Sequence, residues 1–262
     1  MNKEDIVKAI MGELEKNSGA SAANSGSIIT PSQCSLTEFV GTTIGDTIGL
    51  VIPNVDSGIH EKLGIDKKYR SLGIVGSRIG AGPQAMAADE AVKSSNTELL
   101  QFHLPRDTKG GGGHGCLLVF GSDEVSDVKR AVEITLSSLP GYFGDIYMND
   151  AGHVEAQYTA RASHVLANFF NAPLGRAWGL LSACPAAIGM VMADAAVKSA
   201  DVEVVKYGSP SVNTSNSNEF MIMFSGDSGA VKQAAMAGRD IAVQLLATLG
   251  DAPKSSGLSY IF

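Results

Sequence analysis

Apolar and polar positions along the chain follow the same order twice. In each half, a short apolar run typical of a buried strand precedes a small-residue helical stretch, two further strand-like runs and a longer helical stripe. The helical stretch of residues 87–94 returns at 192–199, an offset of 194 − 89 = 105 residues. The strand-like run 116–120 returns at 220–224. A period of this length is too long for a solenoid and suits a small domain. The pattern therefore predicts two copies of one fold.

The first copy is predicted to span residues 35–144. Its expected strands lie at 49–52, 72–76, 97–104 and 116–120, and its expected helices at 60–63, 84–94 and beyond residue 122. The last helix takes Ser122 or Asp123 as its N-cap. Its apolar stripe has helical spacing and consists of Val125, Val128, Val132, Leu136 and Leu139.

The second copy is predicted to span residues 145–262. Helices are expected at 158–170 and 188–199 and around the apolar positions from 231 to 245, with strands at 178–181, 202–207 and 220–224. The order of elements favours an α+β fold in which each copy is one small, mainly antiparallel sheet with helices on one side.

Residues 1–34 differ from both copies. Residues 2–16 carry one apolar stripe typical of an amphipathic helix, which includes Ile6, Ile10 and Leu14. Residues 17–33 are rich in Ser, Ala, Gly and Asn, a composition typical of a flexible linker. A helix this short is marginal alone in water, so two interpretations stay open: a frayed tail, or a helix that docks in the groove of a partner.

Composition narrows the function classes. The formal net charge is −7, and the chain contains no long cluster of basic residues, which argues weakly against nucleic acid as a partner. No apolar run approaches the roughly 20 residues of a membrane span, and the N-terminus lacks a secretory core, so we expect a cytosolic protein. The three cysteines have no CxxC spacing and are expected to be reduced, with no metal bound.

The glycine-rich segment 109–115 is the strongest local motif. A phosphate loop would place Lys after the glycines and before a helix, whereas Lys109 precedes them and a strand follows. The segment is then either a plain hairpin loop or a loop whose backbones approach closely around a symmetry axis, which glycine permits. Its candidate residues are Asp107, Thr108, Lys109, Gly110, Gly111, Gly112, Gly113 and His114.

A second loop, 210–218, stands at the equivalent place in the second copy. It is a neutral row of hydroxyl and amide groups able to donate and accept hydrogen bonds. Its candidate residues are Asn213, Thr214, Ser215, Asn216 and Ser217. No metal signature and no GxSxG motif occurs in the sequence, so we expect no enzyme activity. A soluble binding protein or an enzyme that uses residues 109–115 is the alternative.

Several segments resemble the shell proteins of bacterial microcompartments, which are built from BMC domains. Residues 193–202 and 224–234 carry the signature of that domain, and the first copy carries a looser version. An additional strand-like run, 48–53, precedes the first strand of the fold, as in circularly permuted, ferredoxin-like members. Residues 35–42, 69–74, 104–111 and 157–163 resemble the trimeric tandem-domain members from propanediol-utilisation compartments.

The resemblance implies a homotrimer whose six repeats form a flat pseudohexagonal tile in the microcompartment shell, within the cytoplasm. Tiles would join other shell proteins edge to edge through Lys93 and Lys198. Pores would pass small uncharged metabolites such as 1,2-propanediol or glycerol, at the two loops and, as second candidates, between the repeats at Ser77, Arg78 and Ser182. The N-terminal segment would tether encapsulated enzymes of the diol dehydratase type. No cofactor is implied.

Overall fold

The computed structural model describes residues 34, 36–105, 115–212 and 217–262. The predicted helix and linker of residues 1–33 lie outside the described residues, as do residues 106–114 and 213–216. Within the described part of the chain, no helix is long and apolar enough to cross a membrane.

The first repeat contains a five-stranded sheet. Its strands are β1 (Phe39–Thr43), β2 (Thr47–Ile52), β3 (Ser71–Ser77), β4 (Glu98–His103) and β5 (Cys116–Ser122), in the spatial order β1-β2-β3-β5-β4 with antiparallel neighbours. Three helices accompany them: α1 (Ser57–Leu63), α2 (Gly82–Lys93) and α3 (Val125–Ser138).

The second repeat has the same order of elements. Its strands are β6 (Ile146–Asn149), β7 (Gly152–Thr159), β8 (Ala177–Cys184), β9 (Val202–Gly208), β10 (Phe220–Gly226) and the short β11 (Lys254–Ser255). The sheet order is β11-β6-β7-β8-β10-β9, again antiparallel. Its helices are α4 (His164–Phe170), α5 (Ala186–Ser199) and α6 (Ser228–Leu246). The predicted duplication and the α+β class are confirmed.

Each sheet packs against its last long helix, and small residues at the strand centre permit this. A Cβ on Gly73 of β3 would lie 2.9 Å from the backbone oxygen of Val128 in α3. On the equivalent Gly179 of β8, a Cβ would lie 2.6 Å from Phe224 and 3.1 Å from Val231 of α6. The close approach buries the apolar stripes of α3 and α6 in the two main cores.

Some predicted boundaries were wrong. The helix expected at 158–170 begins only at His164, because residues up to Thr159 belong to β7. Strands β1, β6, β7 and β11 were not predicted. Both faces of β7 are buried, so its Glu155 and Gln157 do not mark a solvent-facing side. The N-cap of α3 is Glu124 and makes no side-chain cap; Ser122 Oγ accepts instead from Glu124 N at 3.3 Å. The predicted limits of the repeats, 35–144 and 145–262, stay predictions.

Candidate functional site

The two candidate loops connect equivalent strands, β4 to β5 and β9 to β10. Residues 107–114 and 213–216 lie outside the described residues. The structure describes the residues where each loop meets its strands, which we call the base of the loop. At the first base, Cys116 N donates to Ser77 Oγ at 3.0 Å, and the two side chains are 3.4 Å apart. Gly115 has φ +76°, and a Cβ there would lie 2.2 Å from the Ser77 carbonyl oxygen. Only glycine fits this re-entry into the sheet.

Cys116 is a fully buried thiol at this base. Burial raises its pKa to about 12, and the negative charge of Glu155 acts in the same direction, while the hydrogen bond with Ser77 lowers it. A thiol with so high a pKa stays protonated at neutral pH. Thiolate is the form that attacks electrophiles and binds metals. The protonated thiol of Cys116 is therefore suited to packing in the core and not to reaction or metal binding.

The second base is held by a buried polar cluster. Ser182 Oγ of β8 donates to Glu219, and His153 Nε2 of β7 lies 3.2 Å from Glu219 Oε1. All three side chains are buried. The adjacent Asn218 accepts from the backbone N of Ala186, the first residue of α5, at 3.2 Å. This cluster fixes the end of the loop, next to the half-buried Ser217.

The connectivity of this cluster differs from that of a nucleophilic triad. In such a triad histidine stands between the nucleophile and the carboxylate, whereas here Glu219 contacts both Ser182 and His153. In the described part of the chain, no group of three His, Cys, Asp or Glu side chains is placed to hold a metal ion.

The second-candidate residues occupy different environments. Ser77 and Ser182 are buried and bonded to the loop ends. Arg78 is exposed, and its backbone N donates to the carbonyl oxygen of Gly45 at 3.2 Å.

The two repeats share an apolar interface built around α2. This helix packs against α4 and β7 of the second repeat. Ala85 and Met86 are buried in one cluster with Leu166, Phe170 and Trp178. At the C-terminal half of α2, Asp89 accepts from both the backbone N, at 3.2 Å, and the hydroxyl of Ser163. The interface therefore combines apolar packing with two buried carboxylates, Asp89 of α2 and Glu155 of β7, which lies against Gly82 of α2.

Within the described residues, the equivalent surfaces of α5 and α1 are not covered. By the 105-residue offset, Met190 and Val191 of α5 correspond to Ala85 and Met86, yet they are 61% and 46% exposed. In the first repeat, Ile59 and Leu63 of α1 correspond to the buried Leu166 and Phe170 of α4, and both are exposed. The chain thus forms this interface once, between α2 and α4. The two surfaces that could form it a second time, on α5 and on α1, are exposed, and we call them the open halves.

The two candidate edge lysines end α2 and α5. Lys93 Nζ lies 2.8 Å from Asp89, whose side chain is 2% exposed. Lys198 Nζ lies 2.7 Å from Asp194, whose side chain is 60% exposed. The lysine side chains themselves are 37% and 73% exposed, so both reach the surface.

The fold and its duplication define a class of protein. The BMC domain family matches the chain twice, at residues 71–146 and 177–251. The chain belongs to the BMC-domain family of bacterial microcompartment shell proteins. The resemblance seen in the sequence is confirmed.

Within this family the similarity is specific. The chain is 58% identical over 228 residues to the bacterial microcompartment shell protein PduB of Citrobacter freundii, which covers 87% of this chain and 84% of that protein. A crystal structure of a trimeric microcompartment shell protein PduB shares 48% identity and a TM-score of 0.82, over 86% of this chain and all of that one. The structure of EtuB from Clostridium kluyveri shares 52% identity and the same TM-score, over 86% of this chain and 99% of that one.

Sequence reasoning missed part of the site. The contact between His153 and Glu219 joins residues 66 positions apart and leaves no local pattern. The open interface did leave a signal, because aligning the two small-residue helices sets Met190 and Val191 against Ala85 and Met86.

Proposed function

We propose that three copies of the chain close into a ring in which α5 of each protomer packs against α1 and β2 of the next. The proposal rests on one observation. Helix α2 packs against α4 and β7 inside the chain, whereas the equivalent surfaces of α5 and α1 are exposed. A head-to-tail contact of this kind forms a closed ring when its rotation closes. The similarity to a trimeric PduB supports three protomers.

The ring would contain six repeats and form a pseudohexagonal tile of the shell. The β4–β5 and β9–β10 connections lie at the same place in the two sheets, so a ring would bring three copies of each loop to equivalent places around its axis. Glycine-rich and polar loops would then alternate there. Lys93 and Lys198, exposed at the ends of α2 and α5, are proposed to contact neighbouring shell proteins at the tile edge.

The tile is proposed to pass small uncharged metabolites, of which 1,2-propanediol and glycerol are the candidates. The candidate lining combines glycines at 110–113 with hydroxyl and amide side chains at 213–217. Such groups replace the hydrogen bonds of water around a diol without a charge that would hold it tightly. A second passage is proposed between the repeats, near Ser77, Arg78 and Ser182.

The pore proposal is tested with intact compartments. Substitution of Gly111 by Trp would introduce three indole rings per trimer. We expect slower consumption of external diol by the encapsulated enzymes, with unchanged turnover once the shell is broken. Equal rates in intact compartments would contradict passage at this loop.

Residues 1–34 are proposed to tether the encapsulated enzymes to the shell. Deleting them should leave trimers and sheets intact and reduce the amount of diol dehydratase-type enzyme that co-purifies with the shell. Loss of trimers on this deletion would contradict a tethering role.

The ring itself is tested by Val191→Asp. A carboxylate at the centre of an apolar interface costs several kcal/mol, so sedimentation should show monomers in place of trimers. The matched control is Leu249→Asp, which changes an exposed leucine on neither open face and should stay trimeric. A trimeric Val191→Asp variant would overturn the proposal.

A further inference from the structure

In the interface inside the chain, the carboxylate of Asp89 is bound by neutral donors and by one lysine. Ser163 donates to Asp89 through its backbone N and its hydroxyl, and Lys93 lies beside the second carboxylate oxygen. One oxygen of Asp89 thus accepts hydrogen bonds from the residue that precedes α4, and the other forms an ion pair with Lys93 of α2.

The residue that stands in the place of Ser163 in the first repeat is Asp56. Each precedes a seven-residue helix, α4 or α1, and each helix ends at a residue in the left-handed conformation. The positions just before and just after are buried and apolar in both repeats: Ala162 and Ala172 in the second, Val55 and Ile65 in the first. The segments around α4 and α1 are thus equivalent. The hydroxyl of Ser163 before α4 is replaced by the carboxylate of Asp56 before α1.

At the place of the contact between Asp89 and Ser163, the boundary between protomers would therefore have two facing carboxylates where the internal interface has one. Asp194 is the equivalent of Asp89, and in the ring it would face Asp56 of the partner subunit. An ionised carboxylate only accepts hydrogen bonds, and two of them in contact repel each other. Asp56 is held in place because it accepts from Gly58 N at 2.8 Å as the N-cap of α1.

Lys198 is positioned to compensate this pair. Its Nζ already lies 2.7 Å from Asp194 Oδ2, and the ammonium group has three donors. Its side chain is mostly exposed in the single chain, so it is available to a group that arrives from outside.

We propose that Lys198 is the shared counter-ion of Asp194 and Asp56 of the partner subunit, and that it is needed to close the trimer. The inference rests on the proposed ring. It assigns Lys198 a role between protomers in addition to its proposed contacts between tiles. It also distinguishes Lys198 from Lys93, whose partner Asp89 faces the hydroxyl of Ser163 and no second carboxylate there.

The test measures the trimer–monomer equilibrium by mass photometry over a dilution series. Lys198→Met should weaken trimer affinity by about tenfold or more, because like charges in contact are costly at an interface. Lys129→Met is the matched control, since Lys129 forms an exposed i,i+4 pair with Glu133 on α3; it should leave the affinity unchanged.

The decisive variant adds Asp56→Ser to Lys198→Met and so places the hydroxyl of the internal interface opposite Asp194, without the lysine. It should restore trimer affinity to within about threefold of the parent chain, since the repulsion that Lys198 compensates is gone. An unchanged affinity for Lys198→Met, or a double variant as weak as the single one, would overturn the inference. A parent chain that forms no trimer would instead refute the proposed ring.

Discussion

Gly115 holds a backbone conformation that other residues rarely adopt, at the point where the glycine-rich loop enters β5. Gly115→Ala adds a Cβ 2.2 Å from the Ser77 carbonyl oxygen at a φ of +76°. We expect the free energy of unfolding to fall by more than about 1 kcal/mol, as measured by urea denaturation. Gly141→Ala is the control, because a Cβ there meets nothing within 4 Å. Equal stability of both variants would contradict the strained re-entry at Gly115.

The buried thiol of Cys116 makes stability depend on alkaline pH. Burial raises its pKa from 9.0 to about 12, so the folded chain keeps a proton that the unfolded chain releases. The contribution is complete below pH 9 and is lost as the pH rises toward 12. The free energy of unfolding should fall over this range, and Cys116→Ala should flatten the decline. Parallel pH curves for the parent and the variant would count against this.

At the scale of elements, Asp145 fastens the C-terminal segment to the second repeat. It lies between the repeats, fully buried, and accepts from Arg239 Nη1 and Ser259 Oγ at 2.7 Å each and from Tyr260 N at 3.0 Å. Tyr260 in turn donates to Gln157 of β7 at 2.8 Å. One carboxylate thus joins α6, the sheet and the end of the chain.

Removing this carboxylate should be costly. Asp145→Ala leaves Arg239 mostly buried without its inner partner, and we expect a loss of about 3 kcal/mol or more in a thermal or urea denaturation. Asp240→Ala serves as the control. Asp240 also binds Arg239, at 2.8 Å, but its side chain is 57% exposed, so the loss should stay below about 1 kcal/mol. Similar losses in both variants would show that burial of Asp145 is not the cause.

Helices and strands could be predicted from the sequence where only one of their faces is buried, because the apolar residues then recur with the period of the element. The stripe Val128, Val132 and Leu136 of α3 is of this kind, and so is the run that became β10. Strand β7 could not be predicted because its polar residues Glu155 and Gln157 are buried. Their burial results from packing against other elements, which no local sequence pattern shows. The anchoring contact between His153 and Glu219 escaped for the same reason, since it depends on how β7 and the segment before β10 are brought together.

At the scale of the whole molecule, duplication produces a chain with one internal interface and two open halves of the same kind. Exposed apolar faces that are complementary favour association. Met190 is larger than the equivalent Ala85 and Val191 is smaller than the equivalent Met86, so the summed side-chain volume on the open helix is larger. Opposite them, Ile59 and Leu63 are smaller than or equal in size to the Leu166 and Phe170 of the internal interface. Compared with the internal interface, the contact between protomers would therefore have more side-chain volume on α5 and less on α1.

Single-particle electron microscopy of the purified protein shows directly whether this contact closes three chains into a tile. We expect a three-fold ring in which Met190 and Val191 of each protomer are covered by α1 and β2 of the next. A monomer, a two-fold pair in which two α5 helices meet, or a ring that leaves α5 exposed would contradict it.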